Sequence, residues 1–201
     1  MKRGSLVAFE GLDGSGKSTQ IERLAGRLRD AGQTVVTTRE PTDGAVGRRI
    51  RAMAASGRAL PPEEELRWFV EDRREHVESL IAPALAAGSV VLTDRYTLSS
   101  VAYQGARGLD WRAILEEGER LFPLPDLALL LEVAPGQGLA RVRARGGRLE
   151  PTFEDEAYLD RVAAIFAVID RPYIARVDAR GEAERVEDAV YAAVRARLGL
   201  G

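Results

Sequence analysis

Two kinds of segment alternate along this chain. Short apolar runs, too brief for helices, predict buried strands. These runs are Leu6–Phe9, Thr34–Thr38, Ser89–Thr93, Leu127–Val133 and the shorter Arg176–Asp178. Longer stretches with apolar residues three and four positions apart predict helices. These are Thr19–Asp30, Val46–Ala55, a long one from Pro61 to Leu85, Thr97–Gly105, Trp111–Leu121, one around Leu139–Arg145, Glu154 to about Ile174, and Glu182–Leu198.

This order of elements predicts an α/β fold, with a five-stranded parallel sheet covered by helices on both faces as three α/β/α layers. The 201 residues are enough for one substantial core, and no linker interrupts them. We therefore expect a single domain over residues 1–201. Ligands in such sheets bind outside the carboxyl ends of the strands, so side chains at those ends are the first candidates for a site.

Composition narrows the possible functions. The chain is 45% hydrophobic and 30% charged with a formal net charge of −2, which gives no sign of non-specific nucleic-acid binding. It has no cysteine, which excludes disulfides and thiolate metal sites. No run approaches the roughly 20 consecutive apolar residues of a membrane span. We expect a cytoplasmic protein with no membrane or nucleic-acid partner.

The first strand leads into a glycine-rich loop with a known chemistry. Residues 11–18 satisfy the full G-x-x-x-x-G-K-[ST] phosphate-loop pattern, between a strand and a helix. Its glycines let backbone N–H groups turn towards a polyphosphate, and the helix N-terminus adds positive charge. Lys17 is predicted to reach the outer phosphates of ATP and Ser18 to bind Mg²⁺. The predicted ATP-binding residues are Gly11, Leu12, Asp13, Gly14, Ser15, Gly16, Lys17, Ser18 and Thr19.

The alternative for this loop is a glycine-rich turn whose lysine is one more surface cation. The choice between lysine and arginine along the chain argues against this alternative. The chain has 29 lysines and arginines, and all but Lys2 and Lys17 are arginines. Lysine therefore stands where a compact ammonium suits a phosphate.

Two further charged groups follow predicted strands. Arg39-Glu40-Pro41 comes after the second strand and Asp94-Arg95-Tyr96 after the third. If the strands are parallel, both groups converge on the phosphate loop. Arg95 is then placed to bridge donor and acceptor phosphates, and Asp94 to hold Mg²⁺ directly or through water. The alternative for Asp94 and Arg95 is a surface ion pair at a strand end.

Three segments together closely resemble the bacterial thymidylate kinases, a family of phosphate-loop nucleoside monophosphate kinases. They are Phe9-Glu10-Gly11-Leu12-Asp13-Gly14, Thr38-Arg39-Glu40-Pro41 and residues 94–105, which read DRYTLSSVAYQG. The resemblance extends over essentially the whole chain. It implies phosphoryl transfer from ATP to dTMP, giving dTDP and ADP, with Mg²⁺ as the cofactor and a homodimer as the assembly.

The resemblance also implies how dTMP is held. Phe69 stacks on thymine and Arg73 donates to a thymine carbonyl. Ser100 lies near the ring nitrogen, Tyr103 crowds the ribose 2′ position, and Asp13 binds the 3′-hydroxyl. The predicted substrate-binding residues, among which Arg39 grips the acceptor phosphate, are Asp13, Arg39, Glu40, Pro41, Phe69, Arg73, Arg95, Ser99, Ser100, Tyr103 and Gln104. The alternatives are that Phe69 belongs to the ordinary core and that Arg73 is solvated.

A dense cationic stretch brackets Gly146-Gly147 and predicts a small mobile lid around residues 141–153. Some thymidylate kinases place a catalytic arginine within the phosphate loop. Here the loop carries Asp13 and no arginine, so the resemblance implies that the lid supplies that cation, as in the bacterial subtype. The predicted catalytic residues are accordingly Lys17, Arg95, Arg141, Arg145 and Arg148. For each lid arginine, a place on a solvated charged face is the alternative.

Two other functions stay open at this point. One is a different nucleoside monophosphate or deoxynucleoside kinase, and the other is a nucleotide-switched binding module such as a GTPase. The second lacks support because guanine recognition commonly uses an Asn-Lys-x-Asp motif and the chain has no asparagine. Two residues do not fit any role: His76 is expected to be solvated on a charged helix, and Glu10 has no assignable function.

Overall fold

The structure is a computed structural model that describes residues 3–144 and 156–199. Within these ranges five strands form one all-parallel sheet with the spatial order β2-β3-β1-β4-β5. The strands are β1 (Ser5–Glu10), β2 (Val35–Arg39), β3 (Val90–Asp94), β4 (Leu127–Glu132) and β5 (Ile174–Asp178). The predicted fold class is confirmed.

Helices occupy most of the connections between the strands. They are α1 (Lys17–Asp30), α2 (Ala45–Ser56), α3 (Pro62–His76), α4 (Ala82–Ala86), α5 (Thr97–Ala106), α6 (Trp111–Leu121), α7 (Pro135–Ala144), α8 (Glu156–Val168) and α9 (Ala183–Leu198). Among the described residues, no helix is both long enough and apolar enough to cross a bilayer.

Alternate residues of the strands enter two separate cores, one on each face of the sheet. In β1, Leu6 and Ala8 pack with α5 and α8, whereas Val7 and Phe9 pack with α1 and α9. All four side chains are fully buried, as expected for a central parallel strand covered on both sides. The three-layer architecture therefore follows from the period of two along the strands.

Strand register brings the charged segments to one edge of the sheet. Asp94 at the end of β3 pairs with Phe9 in β1 and with Arg39 in β2. All three strands therefore end together, and the residues after them share the same face of the molecule. This confirms that the phosphate loop and both charged strand ends converge.

Two predicted helices differ from the structure. The helix predicted to reach about Ile174 ends at Val168, and Ile174 instead begins β5 opposite Ala128. Pro172 explains the error, because it cannot donate within a helix and it disfavours helical backbone at the preceding residue. The long helix from Pro61 to Leu85 is interrupted by a π-helical turn over Val77–Ile81, just before Pro83. That proline has no N–H for the regular helical bond.

Candidate active site

A cavity of about 370 Å³ opens at the carboxyl edge of the sheet. Most of the predicted site residues line it: Asp13, Gly14, Gly16, Lys17, Ser18, Arg39, Glu40, Pro41, Phe69, Arg73, Asp94, Arg95, Ser99, Ser100, Tyr103 and Gln104. Its size suits a small organic ligand. The phosphate loop lies at one end, called here the phosphate end, and Phe69, Arg73 and Gln104 lie at the other, called here the base end.

The phosphate loop requires glycine for its shape. Gly16 has a φ of 94° immediately before α1, a left-handed conformation that L-residues rarely adopt. At Gly14, a β-carbon would collide with the backbone oxygen of Gly138, so no larger residue fits. The loop therefore turns sharply into the N-terminus of α1, where free backbone N–H groups favour an anion.

Lys17 is buried beneath this loop. Its Nζ donates to the backbone oxygens of Gly11 at 3.1 Å and Leu12 at 3.0 Å, and lies 3.8 Å from the carboxylate of Asp13. Burial lowers the pKa of Lys17 below its usual value, and the charge of Arg95 acts in the same direction. An anion bound at this position would stabilise the ammonium form.

Arg95 lies between the two ends of the cavity. Its Nη2 donates to Asp13 Oδ1 at 2.6 Å and to the hydroxyl of Tyr103 at 3.2 Å, and its Nη1 donates to Ser99 Oγ at 3.1 Å. Arg95 has a φ of 70°, a left-handed conformation that is uncommon for a side-chain-bearing residue. Such backbone strain is often found at functional sites. The interpretation as an isolated surface ion pair does not match this network.

Ser18 and Asp94 form the candidate magnesium site. Ser18 Oγ donates to Asp94 Oδ2 at 2.7 Å, next to the phosphate loop. A hydroxyl and a carboxylate are hard oxygen ligands, and Mg²⁺ is commonly held by one or two such groups together with substrate phosphates and water. The two residues therefore fit the ion that the resemblance implies.

Glu10 has a structural role that the sequence did not reveal. Its Oε1 accepts from the backbone N–H groups of Tyr96 at 3.0 Å and Leu98 at 3.1 Å, and its Oε2 accepts from Ser99 Oγ at 2.5 Å. It thus satisfies free donors at the start of α5 from a neighbouring strand. Burial raises the pKa of Glu10 above its usual value, against the lowering effect of the hydrogen bond from Ser99. Glu10 ties the phosphate-loop strand to the segment that carries Arg95.

Arg73 is buried at the base end and is not solvated. Its Nε donates to Glu40 Oε2 at 2.9 Å, and its Nη2 donates to the backbone oxygen of Tyr96 at 2.9 Å and to Ser100 Oγ at 3.0 Å. Phe69 lies four positions earlier on α3, lines the cavity, and is partly buried against the core. The guanidinium is therefore held in one orientation at the wall of the cavity.

The expectation that His76 is solvated is wrong. Only 3% of it is exposed, with Nδ1 at 3.0 Å from Glu40 Oε1 and Nε2 at 2.7 Å from Thr38 Oγ1. A carboxylate only accepts, so Nδ1 carries a proton. His76 lies three positions after Arg73, and this helical spacing was the available signal that the two share a buried face.

Gln104 completes the base end with partners that the sequence did not suggest. Its Nε2 donates to Glu65 Oε1 at 2.8 Å, and Glu65 Oε2 accepts from Arg107 Nη1. Tyr103 lies beside Gln104, with its ring at a T-shaped angle to Tyr158. Burial raises the pKa of Tyr103 above its usual value, so its hydroxyl stays protonated at neutral pH.

The remaining predicted residues have more exposed or peripheral positions. Arg39 lines the cavity but pairs with Asp43 at 3.0 Å, and the Glu40–Pro41 peptide is cis. Gly11, Leu12, Ser15 and Thr19 support the phosphate loop without lining the cavity.

Of the three lid arginines predicted to be catalytic, Arg141 is the one that lies within the described ranges 3–144 and 156–199. Its Nη1 donates to the backbone oxygens of Ala179 at 2.8 Å and Gly14 at 3.4 Å, which places it against the phosphate loop. Arg145, Arg148 and the rest of the proposed lid up to residue 153 lie outside the described residues. The catalytic role of these arginines stays a prediction.

Comparison with known proteins of similar sequence identifies one family. The family model described as thymidylate kinase matches residues 9–190. The chain is 47% identical over 195 residues to a protein named thymidylate kinase from Xanthomonas euvesicatoria pv. vesicatoria, covering 97% of this chain and 85% of that one. It is 44% identical to one from Akkermansia muciniphila, covering 98% and 94%, and 42% identical to one from Desulfotalea psychrophila, covering 98% and 97%.

Proposed function

The chain belongs to the thymidylate kinase family and thus phosphorylates dTMP with ATP, and we propose that this transfer takes place in the cavity described above. One observation carries the proposal. A single cavity is lined at one end by the phosphate-loop residues Lys17 and Ser18 and at the other by Phe69 and Arg73. A nucleotide monophosphate can therefore lie in it with its base at the base end and its phosphate towards the phosphate loop, where the outer phosphates of ATP bind. Neither of the alternative functions left open by the sequence is favoured by the family match.

At the phosphate end, the loop and Lys17 hold the outer phosphates of ATP. Phosphoryl transfer requires the two reactants in line and the developing charge balanced by cations. Arg95 lies next to the phosphate loop and can bridge the transferred group and the dTMP phosphate after exchanging its contact with Asp13. Arg39 is exposed at the cavity wall and can contact the same acceptor phosphate.

Ser18 and Asp94 hold Mg²⁺ in this proposal. When bound, the ion neutralises negative charge on the phosphate oxygens of ATP. The hydrogen bond between the two side chains holds both oxygens beside the phosphate loop, where the ion would be held.

At the base end, the pyrimidine stacks on Phe69 and is read by hydrogen bonds. Arg73 donates to a ring carbonyl, and the side-chain amide of Gln104 faces the ring nitrogen together with Ser100. Tyr103 packs where a ribose 2′-hydroxyl would lie, which favours deoxyribose. Asp13 accepts from the 3′-hydroxyl of the sugar.

The test is a coupled ADP-release assay with each common deoxyribo- and ribonucleoside monophosphate in turn. We expect dTMP to give the highest kcat/KM. A higher kcat/KM for a purine monophosphate or for a free nucleoside would overturn the assignment of the base end. Dependence on added Mg²⁺, with loss of activity in excess chelator, tests the metal site in the same assay.

We also propose that the protein is a cytoplasmic homodimer. The support for the dimer is the resemblance to the bacterial thymidylate kinases, which implies a homodimer. Light scattering of the purified protein tests the dimer, because a monomer of 21.9 kDa and its dimer are well resolved. Fractionation of the source cells tests the location.

A further inference from the structure

Gln104 contributes a side-chain amide whose chemistry depends on its orientation. The residue is 1% exposed and lines the cavity at the base end. Its Nε2 donates to Glu65, and its Oε1 has no hydrogen-bond partner among the described residues. The nitrogen of an amide only donates and the oxygen only accepts. The orientation of this one group therefore decides whether the base meets an acceptor or a donor.

Glu65 determines that orientation. Its side chain is fully buried, with one oxygen facing Gln104 and the other facing Arg107. An ionised carboxylate has no proton to donate, so the amide of Gln104 must present its NH₂ group to Glu65. The oxygen of Gln104 then lies on the opposite side of the amide from Glu65. It is buried and has no partner among the described residues, next to the base end that Gln104 lines.

Arg107 favours the ionised form of Glu65. Burial raises the pKa of Glu65 above its usual value, whereas the hydrogen bond from Gln104 and the charge of Arg107 lower it. Arg107 is itself fixed by a second bond, from Nη2 to the backbone oxygen of Leu60 at 2.7 Å. The three side chains therefore form a chain of hydrogen bonds that ends at the cavity.

We propose that Glu65, held by Arg107, is a positioning residue that fixes the amide of Gln104 with its oxygen towards the base and so selects pyrimidines that carry a proton on N3. The inference rests on the proposed function, in which the base of dTMP occupies this end. Thymine and uracil carry N3–H and can donate to the oxygen. Cytosine has a lone pair at N3, so two acceptors would face each other in a buried place, and neither would be satisfied.

Arg73 reads a different edge of the base through different partners. It is fixed by Glu40, the backbone of Tyr96 and Ser100, and none of these contacts Glu65 in the described hydrogen bonds. A change at Glu65 therefore leaves the orientation of Arg73 in place. Its effect on selectivity can be measured separately.

Glu65→Gln gives a sharp test because it is expected to reverse the amide of Gln104. Arg107 only donates, so the amide introduced at position 65 must offer its oxygen to Arg107 and its NH₂ group to Gln104. Gln104 must then accept with its oxygen, and its own NH₂ group faces the cavity. The cavity thereby presents a donor, which suits N3 of cytosine and opposes N3–H of thymine.

The experiment compares kcat/KM for dTMP, dUMP and dCMP in the wild type, in Glu65→Gln and in Glu63→Gln. Glu63 lies on the same turn of α3 and is exposed, so its variant makes the same charge change without contact with Gln104. We expect the ratio of dTMP to dCMP to fall at least about tenfold in Glu65→Gln and to stay unchanged in Glu63→Gln. The ratio of dTMP to dUMP should not move, because both bases carry N3–H.

A second variant keeps the proposal testable if Glu65→Gln does not fold. Arg107→Met changes a residue whose side chain is 16% exposed and removes the cation beside Glu65. The buried carboxyl is then expected to take up a proton and to donate to Gln104, so the ratio of dTMP to dCMP should again fall. A loss of general stability alone would lower both activities together and leave the ratio unchanged.

The two levels of the proposal fail in different ways. A wild type that does not phosphorylate dTMP overturns the proposed function and this inference with it. A wild type active on dTMP, together with unchanged dTMP-to-dCMP ratios in the folded variants, overturns the positioning role of Glu65 alone.

Discussion

The two ends of the cavity hold their charges in opposite ways. At the phosphate end, Arg95 and Lys17 share the partly exposed carboxylate of Asp13, whose side chain is 37% exposed. At the base end, Arg73 and Glu40 pair with each other, and each of these two side chains is only 3% exposed. The side chain of Glu65 is completely buried. The first arrangement can exchange partners when an anion arrives, whereas the charges of the second are buried and paired with each other.

This difference matches what each end has to recognise. Phosphates are charged and change during the reaction, so the cations beside them must be free to leave a carboxylate and stabilise new charge. A base is neutral and is read by fixed donors and acceptors, which are most selective when held rigidly in a buried place. Breaking a pair at the base end should therefore affect stability, and removing a cation at the phosphate end should affect turnover.

The largest effect on stability is expected for Glu40→Ala. It leaves the buried guanidinium of Arg73 without its carboxylate and also removes the partner of His76. Breaking a buried ion pair from one side typically costs about 3–5 kcal/mol in the free energy of unfolding. Denaturant unfolding followed by circular dichroism measures the loss. The control is Asp43→Ala, which breaks pairs with Arg39 and Arg51 at a carboxylate that is 77% exposed, and it should change stability far less.

Lys17→Ala should lower the activity and leave the stability nearly unchanged. Its Nζ donates to two backbone oxygens of its own loop, lies 3.8 Å from Asp13, and lines the cavity. We expect kcat to fall about 10²-fold or more, because the cation balances charge that develops during transfer, with a nearly unchanged unfolding midpoint. Steady-state assays at saturating ATP and dTMP measure it, with Arg29→Ala on the exposed end of α1 as a charge-matched control. Near-normal turnover in Lys17→Ala would contradict the role of the phosphate loop.

The lid arginines test whether the phosphate end is complete without residues from further along the chain. At least one of Arg141→Ala, Arg145→Ala and Arg148→Ala should lower kcat more than it raises KM for dTMP, as expected for a contact made mainly in the transition state. Arg185→Ala, at an exposed position of α9, serves as the control. If all three variants keep wild-type kcat, the missing cation must be Arg39 or come from a second subunit.

The smallest effect is expected at Tyr103, between the two ends. If its ring occupies the place of a 2′-hydroxyl, Tyr103→Ala should improve kcat/KM for the ribose form of TMP relative to dTMP. Tyr103→Phe keeps the ring and loses only the hydroxyl that accepts from Arg95. It should therefore leave this sugar preference unchanged. Equal preferences in Tyr103→Ala and the wild type would remove Tyr103 from the sugar site.

Much of the phosphate end was predictable because its parts are close together in the sequence. The run from β1 through Lys17 into α1 is one continuous segment with a strict spacing. The convergence of Asp94 and Arg39 followed from the rule that parallel strands end at a common edge, and the register confirms it. Here local pattern and general topology were sufficient.

The base end was decided by tertiary contacts that no local pattern contains. Glu40 meets Arg73 and His76 from 33 and 36 positions away, and Glu65 meets Arg107 from 42. On the sequence, Glu65, Arg73 and His76 look like charges on a solvated helix, because burial of a charge becomes favourable only when a particular partner is brought to it by the fold. The sequence by itself determined the sheet, the phosphate loop and the chemistry at the strand ends. Only the tertiary structure decided which of the helical charges are buried and paired, since that depends on packing between segments far apart in the chain.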